Sequence, residues 1–202
     1  MTTAPTTRKG RATRDRIVDA ACDLVFERGV AGLNLDEVRE ATGTSKSQLY
    51  HYFEDKSDLI KAVVDRQAER VLEVHRPALE VVDGWTALRR WRNLVVRLVR
   101  AAGCHGGCPV GSLANELAEL DEPSRLRLSD VFAQWEEMVA RALQRMVDSG
   151  ELATTADVNQ LSIAMMASLQ GGFLLSKTSR SVRPLEVALD AAFDYVKAVA
   201  SP

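Results

Sequence analysis

Lys46, Ser47, Gln48, Tyr50 and His51 stand together in the run Lys46-Ser47-Gln48-Leu49-Tyr50-His51-Tyr52-Phe53. If Leu49 faces inward on a helix, the other five share its outer surface. Their types are those that recognise a nucleic-acid duplex. Lysine reaches a base acceptor or a phosphate, a glutamine amide matches adenine in the major groove, and serine and tyrosine hydroxyls bond phosphate. Lys56, just past the run, suits a phosphate contact, and Thr44 in the preceding turn joins the candidate DNA-contact set. The same residues also fit a solvated polar face with Tyr50 and Tyr52 packed at a helix crossing.

Two short helices around a Thr-Gly-Thr turn would present that run. Asn34 can cap the first, with Asp36 and Glu37 at its positive end and Leu35 and Val38 inward. It stops before Gly43, and Ser45 can cap the second, from Lys46 to about Tyr52. This is helix-turn-helix spacing. Ahead of it a helix from about Arg11 to Arg28 would bury Ile17, Ala21, Leu24 and Phe26 and end at Gly29. Residues 1–10 read as an arm. Through Arg16 the chain sets Arg8, Lys9, Arg11, Arg14 and Arg16 against Asp15, which fits a phosphate backbone or a solubilising tail.

The remainder is also helical, and no segment alternates as a strand does, so the fold class is all-α with about nine helices. A fourth helix begins after Ser57 and runs toward Pro77. A fifth, about Thr86 to Ala102, places Leu88, Trp91, Val95, Leu98 and Ala102 on one face. Ser112 can cap a sixth, and Pro123 fits the first turn of a seventh with the stripe Leu128, Val131, Phe132, Trp135, Val139, Ala142, Leu143 and Met146. The eighth, about Asp157 to Leu175, is apolar almost all round and should be covered on both sides. The ninth starts near Pro184 and aligns Leu185, Ala188, Leu189, Ala192, Phe193 and Val196. The expected division is a DNA-binding domain over 1–56 and a regulatory domain over 57–202, joined inside the fourth helix without a flexible linker.

Composition excludes several classes. With 202 residues, 46% hydrophobic and 27% charged, the chain can bury a core and is neither fibrous nor wholly disordered. A formal net charge of -2 excludes a general polycation. No apolar run reaches membrane-spanning length and the first residues lack a signal-peptide core, so the expectation is a cytoplasmic protein with no membrane partner. Three cysteines do not make a disulfide scaffold. No phosphate loop, nucleophile elbow or His-Glu-x-x-His motif is present, so no enzyme activity, cofactor or metal is expected.

Residues 17–64, IVDAACDLVFERGVAGLNLDEVREATGTSKSQLYHYFEDKSDLIKAVV, resemble the N-terminal DNA-binding domain of the TetR family of bacterial transcriptional regulators. The matching features are an Ile-x-x-Ala-Ala start, the Phe26–Gly29 close of the first helix, the Gly43-x-Ser45 turn, Leu49-Tyr50-x-Tyr52-Phe53, and Lys56-x-x-Leu59. The resemblance implies base or phosphate contacts by Lys46, Tyr50 and His51, a phosphate contact by Lys56, and structural roles for Tyr52 and Phe53. Ser47 and Gln48 depart from the small residue and the Thr or Ser common in the family, so an operator preference does not carry over. Asn34 replaces the usual Thr cap. Arg39 stands where a small apolar residue is usual and is expected to snorkel outward.

The resemblance also implies a homodimer on double-stranded DNA. Independently, one short recognition helix reads too few base pairs, whereas two copies one helical turn apart read a palindrome. The last two helices are the dimerisation candidates: Leu185, Ala188, Leu189, Ala192 and Phe193 would pack against the eighth helix and its symmetry mate as a four-helix bundle, unless that stripe only closes the monomer core. The back half would hold a pocket for an unidentified small-molecule effector, lined by Trp91, Leu98, Phe132, Trp135, Met138, Met165, Met166, Leu169 and Phe173. Methionines and aromatics with few charges fit a mostly apolar ligand, and they equally fit an ordinary core. The implied function is a repressor released from a palindromic operator by such a molecule.

The segment Cys104 to Glu116, CHGGCPVGSLANE, resembles the GCP-x-G-x-LA-x-E signature of a TetR subgroup that contains repressors of drug-export and oxidoreductase genes. Three readings stay open. One is a structural turn permitted by Gly107 and Gly111 with Cys108 buried and Pro109 stiffening the approach. Another is a thiol switch of Cys104 with Cys108 or between subunits. The third is a metal site of Cys104, His105 and Cys108 that lacks a fourth ligand. Glu116, Glu119 and Asp121 read as a solvated helix face. The alternative functions are a thiol-redox-responsive regulator and a non-switching structural DNA-binding protein.

Overall fold

The computed structural model describes residues 7–200. Among them the chain forms α1 (Arg8–Arg28), α2 (Leu35–Thr42), α3 (Lys46–Tyr52), α4 (Lys56–Glu80), α5 (Trp85–Ala101), α6 (Pro109–Leu117), α7 (Glu122–Asp148), α8 (Val158–Ser179) and α9 (Arg183–Lys197). An isolated antiparallel bridge pairs Leu152 with Ala200. The fold is all-α.

Local chemistry sets most of the boundaries. The hydroxyl of Thr7 accepts from Gly10 N–H at 3.0 Å and starts α1. The expected arm is therefore shorter: residues 1–6 lie outside the described residues, and Arg8 to Gly10 form the first helical turn. The buried stripe of α1 is Ile17, Val18, Ala21, Cys22 and Val25. Phe26, expected in that stripe, is 47% exposed. It lies nine positions after Ile17, which is about 180° around a helix of 3.6 residues per turn. Asn34 caps α2 by accepting from Asp36 N–H at 2.9 Å, and Gly43 ends it at φ 64. Helix α6 starts at Pro109, so Ser112 lies inside it rather than capping it. Asp157 caps α8 through the N–H groups of Asn159 and Gln160.

The helices pack as two compact units that are discontinuous in sequence. The first contains the chain through Arg70 together with residues 112–128, and the second contains 71–111 and 129 onward. The first unit thus adds most of α6 and the start of α7 to the helix-turn-helix segment. Its core gathers Ile17, Val38, Leu49, Phe53, Leu59, Val63 and Leu113. Arg66 pairs with Asp15 at 2.6 Å and Arg70 with Asp19 at 2.8 Å, tying α4 to α1. The second unit is built on Leu88, Trp91, Val95, Trp135, Leu143, Met165, Leu189 and Val196. Within it α9 closes on α8 at Gly172, where a Cβ would lie 2.7 Å from Leu185 Cδ1 and 3.0 Å from its Cα. The buried Ser176 hydroxyl there accepts from Leu185 N–H at 3.1 Å.

Candidate nucleic-acid interface and regulatory core

Helix α3 has seven residues and depends on its cap. Ser45 Oγ accepts from Gln48 N–H at 3.2 Å, and Gln48 Oε1 accepts from Ser45 N–H at 2.9 Å, a reciprocal capping box. Leu49, 1% exposed, anchors the helix from below. Lys46, Ser47, Gln48, Tyr50 and His51 are all exposed, so five of the seven candidate DNA-contact residues are brought together on one outward surface. The Lys46 ammonium sits 6.0 Å from the Tyr50 ring centre, and His51 meets Tyr52 edge-on at 5.0 Å.

The other two sit differently. Thr44 is 5% exposed, and its hydroxyl shares a 2.8 Å hydrogen bond with that of Thr42. The left-handed Gly43 turns the chain so that Thr44 N–H returns to the Arg39 carbonyl at 3.2 Å, which folds the side chain into the turn. Thr44 therefore braces the turn and does not present its side chain outward. Lys56 is half-buried and donates to the Ala31 carbonyl at 3.3 Å. An ammonium carries three donors, so this bond leaves others for a phosphate. Gln48 is outward, yet its carbonyl is held in the cap. Bidentate reading of adenine needs that oxygen, so it would require opening the capping box. Arg39 reaches outward to pair with Asp36, as expected, although its Nε stays buried without an acceptor. From α1, Arg8, Lys9, Arg11 and Arg16 are exposed, and Arg14 lies 5.2 Å over the Phe53 ring.

Glu116 overturns its reading as part of a solvated face. Its carboxylate accepts from Val30 N–H at 2.6 Å, in the turn between α1 and α2. A Cβ on Gly29 would lie 2.7 Å from the same oxygen, and Gly29 has φ +75, so glycine is required there twice over. No local signal marks a contact across 86 residues. Glu116→Ala is expected to lower unfolding stability by about 1–3 kcal/mol because a part-buried N–H loses its acceptor. Glu116→Gln, which keeps an oxygen acceptor, should recover most of it. Chemical denaturation of the three proteins checks this.

In the second unit, α4, α5 and α7 bring His75, Trp91 and Trp135 together. Trp91, 0% exposed, donates through Nε1 to His75 Nδ1 at 3.1 Å. The His75 ring lies 4.4 Å from that of Trp135. Burial pulls the His75 pKa down to about 4, so the ring is neutral at pH 7, and the bond from Trp91 places its proton on Nε2. Trp135 is 1% exposed and its Nε1 has no protein acceptor. Both tryptophans were expected as pocket residues, whereas His75 was not. His75 shares its face of α4 with the buried Val71, Leu72 and Leu79, at i−4, i−3 and i+4, so the periodicity carried a signal of burial that the polar residue type masked. Met138, Met165, Met166, Leu169 and Phe173 are buried, and Phe132 is half-buried. Leu98 is 45% exposed and does not line this core. The buried stripe of α5 runs through Leu88, Trp91, Val95 and Val96, which leaves Leu98 on its flank.

The dimerisation candidates Leu185, Leu189, Ala192 and Phe193 are buried where α9 packs on α8 of the same chain, and Ala188 is half-buried. This packing of α9 on α8 is the part of the expected four-helix bundle that one chain contains. Among the described residues helix α8 is not covered on both sides. Ile163, Ala167, Gly171 and Leu174 form an outward stripe on it, and a Cβ at Gly171 would meet nothing within 4 Å. A groove of about 380 Å³ on the α5–α9 side is lined by charged groups, of which Arg92 and Asp190 pair at 2.7 Å.

The cysteine segment is a tight turn. Gly103, Cys104, Gly106 and Gly107 all have positive φ, between 57 and 76. Cys104 and Cys108 are buried free thiols. Cys108 Sγ accepts from Gly111 N–H at 3.4 Å, but burial dominates and pushes its thiol pKa up. His105 is exposed, and among the described residues no three His, Cys, Asp or Glu side chains gather as a metal set.

Comparison with known proteins matches this architecture. Residues 17–63 match the model for bacterial regulatory proteins of the tetR family, and residues 84–192 match the tetracyclin repressor-like C-terminal domain. An HTH-type transcriptional regulator in the lacX 3' region of Lactococcus lactis subsp. lactis is 27% identical over 186 residues, 89% of this chain and 91% of its own. The HTH-type transcriptional repressor DhaR of Mycobacterium sp. strain GP1 is 23% identical, covering 90% of each chain. A crystal structure of a TetR transcriptional regulator from Chloroflexus aurantiacus superposes with a TM-score of 0.80 at 26% identity, covering 96% of this chain and 98% of that one. The chain belongs to the TetR family of bacterial transcriptional regulators and is a DNA-binding regulator of transcription. Among the described residues no helix is long and apolar enough to cross a membrane.

Proposed function

We propose that the protein is a homodimeric repressor that holds a palindromic operator until a mostly apolar small molecule enters its second unit. The observation that carries the reading is the outward surface of α3, where Lys46, Ser47, Gln48, Tyr50 and His51 stand exposed on a helix fixed by its own capping box. Lys56 and the exposed cations at the start of α1 supply phosphate contacts around it. The outward stripe Ile163–Ala167–Gly171–Leu174 on α8 supports a second copy as the partner. A mid-helix glycine costs about 1 kcal/mol relative to alanine. Among the described residues nothing packs on Gly171 to offset that cost, whereas close approach of a partner helix would.

Helices α4 and α7 run unbroken from one packing unit into the other, so a displacement at the effector core has a covalent path toward the DNA-binding unit. A coupling of about 1–3 kcal/mol weakens operator binding roughly 5- to 150-fold. The naming of DhaR as a repressor supports the direction of the switch. A thiol switch is less well supported, because burial raises the pKa of Cys108 and suppresses the thiolate such chemistry needs.

Selection from a random duplex pool tests the DNA-binding half. The expected outcome is a palindrome of roughly 15 to 25 base pairs. Lys56→Ala should weaken all sequences about equally and reduce the salt dependence by about one phosphate. Gln48→Ala removes the capping box as well as an amide. It should weaken binding to every sequence, with any change in base preference added to that loss. No enriched palindrome, or a Lys56→Ala variant with altered preference, would refute these assignments.

A further inference from the structure

We infer that the effector is an apolar molecule bearing a neutral oxygen acceptor, such as a ketone, ester, amide or quinone carbonyl, and that the indole N–H of Trp135 donates to it. The inference rests on the effector reading above and specifies its ligand. Three elements build the site inside the second unit: His75 on α4, Trp91 on α5 and Trp135 on α7. Trp91 is already served, since its N–H reaches His75 Nδ1 at 3.1 Å. That bond occupies the accepting nitrogen of the imidazole. His75 therefore cannot also accept from Trp135, although the rings are 4.4 Å apart. What remains beside this pair is the donor Nε1–H of Trp135.

The other fully buried polar side chains of the second unit are matched. Ser162 donates to the Asn159 carbonyl at 2.8 Å, and Ser176 accepts from Leu185 N–H at 3.1 Å. Among the described residues of this unit that are buried as a whole, Trp135 is the one with a polar atom lacking a partner. Buried polar groups are almost always paired, and no described residue accepts from this one, so its acceptor is an ordered water or the ligand oxygen that displaces it. The surroundings also fix the acceptor's charge. Among the described residues no Lys, Arg, Asp or Glu of this unit is buried as a whole, and Arg92, with its side chain 15% exposed, is already paired with Asp190 at 2.7 Å, so a carboxylate would be held without a free counter-ion. A carbonyl oxygen satisfies the N–H at no such cost, and the methionines and Phe173 suit the rest of an apolar molecule.

Calorimetry on the full chain with matched probes tests this, for example 2-acetonaphthone, 2-ethylnaphthalene and 2-naphthoate, together with smaller and larger sets of the same three kinds. The ketone should bind roughly tenfold tighter than the hydrocarbon of the same shape, and the carboxylate worst. In Trp135→Phe the ketone should lose its roughly tenfold advantage over the hydrocarbon, whatever loss both probes share from the smaller ring. A second measurement needs no variant. The indole N–H resonance of Trp135 should move downfield with the ketone and not with the hydrocarbon. Equal affinities, a preferred carboxylate, or an unmoved indole resonance overturns the inference while leaving an effector site in place. If no probe of any size or kind binds, the effector reading itself falls and takes the inference with it. If the ketone binds as described but the operator is not released, the ligand assignment stands and the switch direction is wrong.

Discussion

Replacing Ile163 and Leu174 together by glutamate is expected to leave the chain folded but monomeric, and to weaken binding to the palindromic operator by roughly 10²-fold or more. Both side chains are more than half exposed, 55% and 56%, so a charge at either position meets water in the isolated chain. They lie eleven residues apart on α8, about three turns of helix, and so share one face with Ala167 and Gly171. If a second copy packs on this stripe, each glutamate is desolvated without a partner, twice per dimer because the interface is isologous. A dimer so weakened places one recognition helix on the operator instead of two, and the second half-site loses its effective concentration. Sedimentation velocity reads the assembly, and operator titration reads the affinity. Leu126→Glu, which charges another side chain that is 51% exposed, is the control and should change neither. A double variant that remains dimeric would move the interface away from α8.

The DNA-binding segment was largely legible because its signals are local. Asn34, Gly43, Ser45 and Leu49 each set one feature of the helix-turn-helix within a few residues of themselves, and the structure uses each for it. Helical periodicity also located the remaining elements, but a stripe of apolar residues does not say how wide the buried face is. Phe26 and Leu98 fell on the exposed side for that reason. Periodicity is equally silent on the partner of a stripe. Leu185 and Leu189 pack inside their own chain, whereas the stripe of Ile163, Ala167, Gly171 and Leu174 on α8 faces outward. Thr44 shows the limit of residue type, since a threonine beside a recognition helix serves the turn as readily as a phosphate. Glu116 closes the subgroup signature and His75 lies on the apolar stripe of Val71, Leu72 and Leu79, but neither position names its partner across the fold, Val30 in one case and Trp91 in the other.

Acidification between pH 6.5 and 4 is expected to destabilise the second unit by up to about 3 kcal/mol through His75 alone. Burial lowers the His75 pKa from 6.5 to about 4 in the folded chain. As the pH falls through 6.5 the unfolded chain takes up a proton that the folded chain refuses, so stability is lost across this window. Below about 4 both states are protonated and the loss levels off. Above 6.5 both are neutral and the contribution is constant. The refusal has a structural reason beyond burial, because an imidazolium has no lone pair with which to accept the Trp91 N–H. The carboxylates of Asp121 and Glu122 have lowered pKa values, set by hydrogen bonds from Ser124 and Arg125, so they titrate below the usual carboxylate range and outside the upper part of this window. His75→Gln separates the two effects. Its amide oxygen can replace Nδ1 as the acceptor for Trp91, and it does not titrate. Denaturant unfolding across the pH series should show a slope approaching one proton for the wild type near pH 5.5. The variant should be flatter by that amount. Parallel slopes in the two proteins would mean that His75 takes its proton in the folded chain at an ordinary pH, and that the Trp91 bond does not hold it neutral.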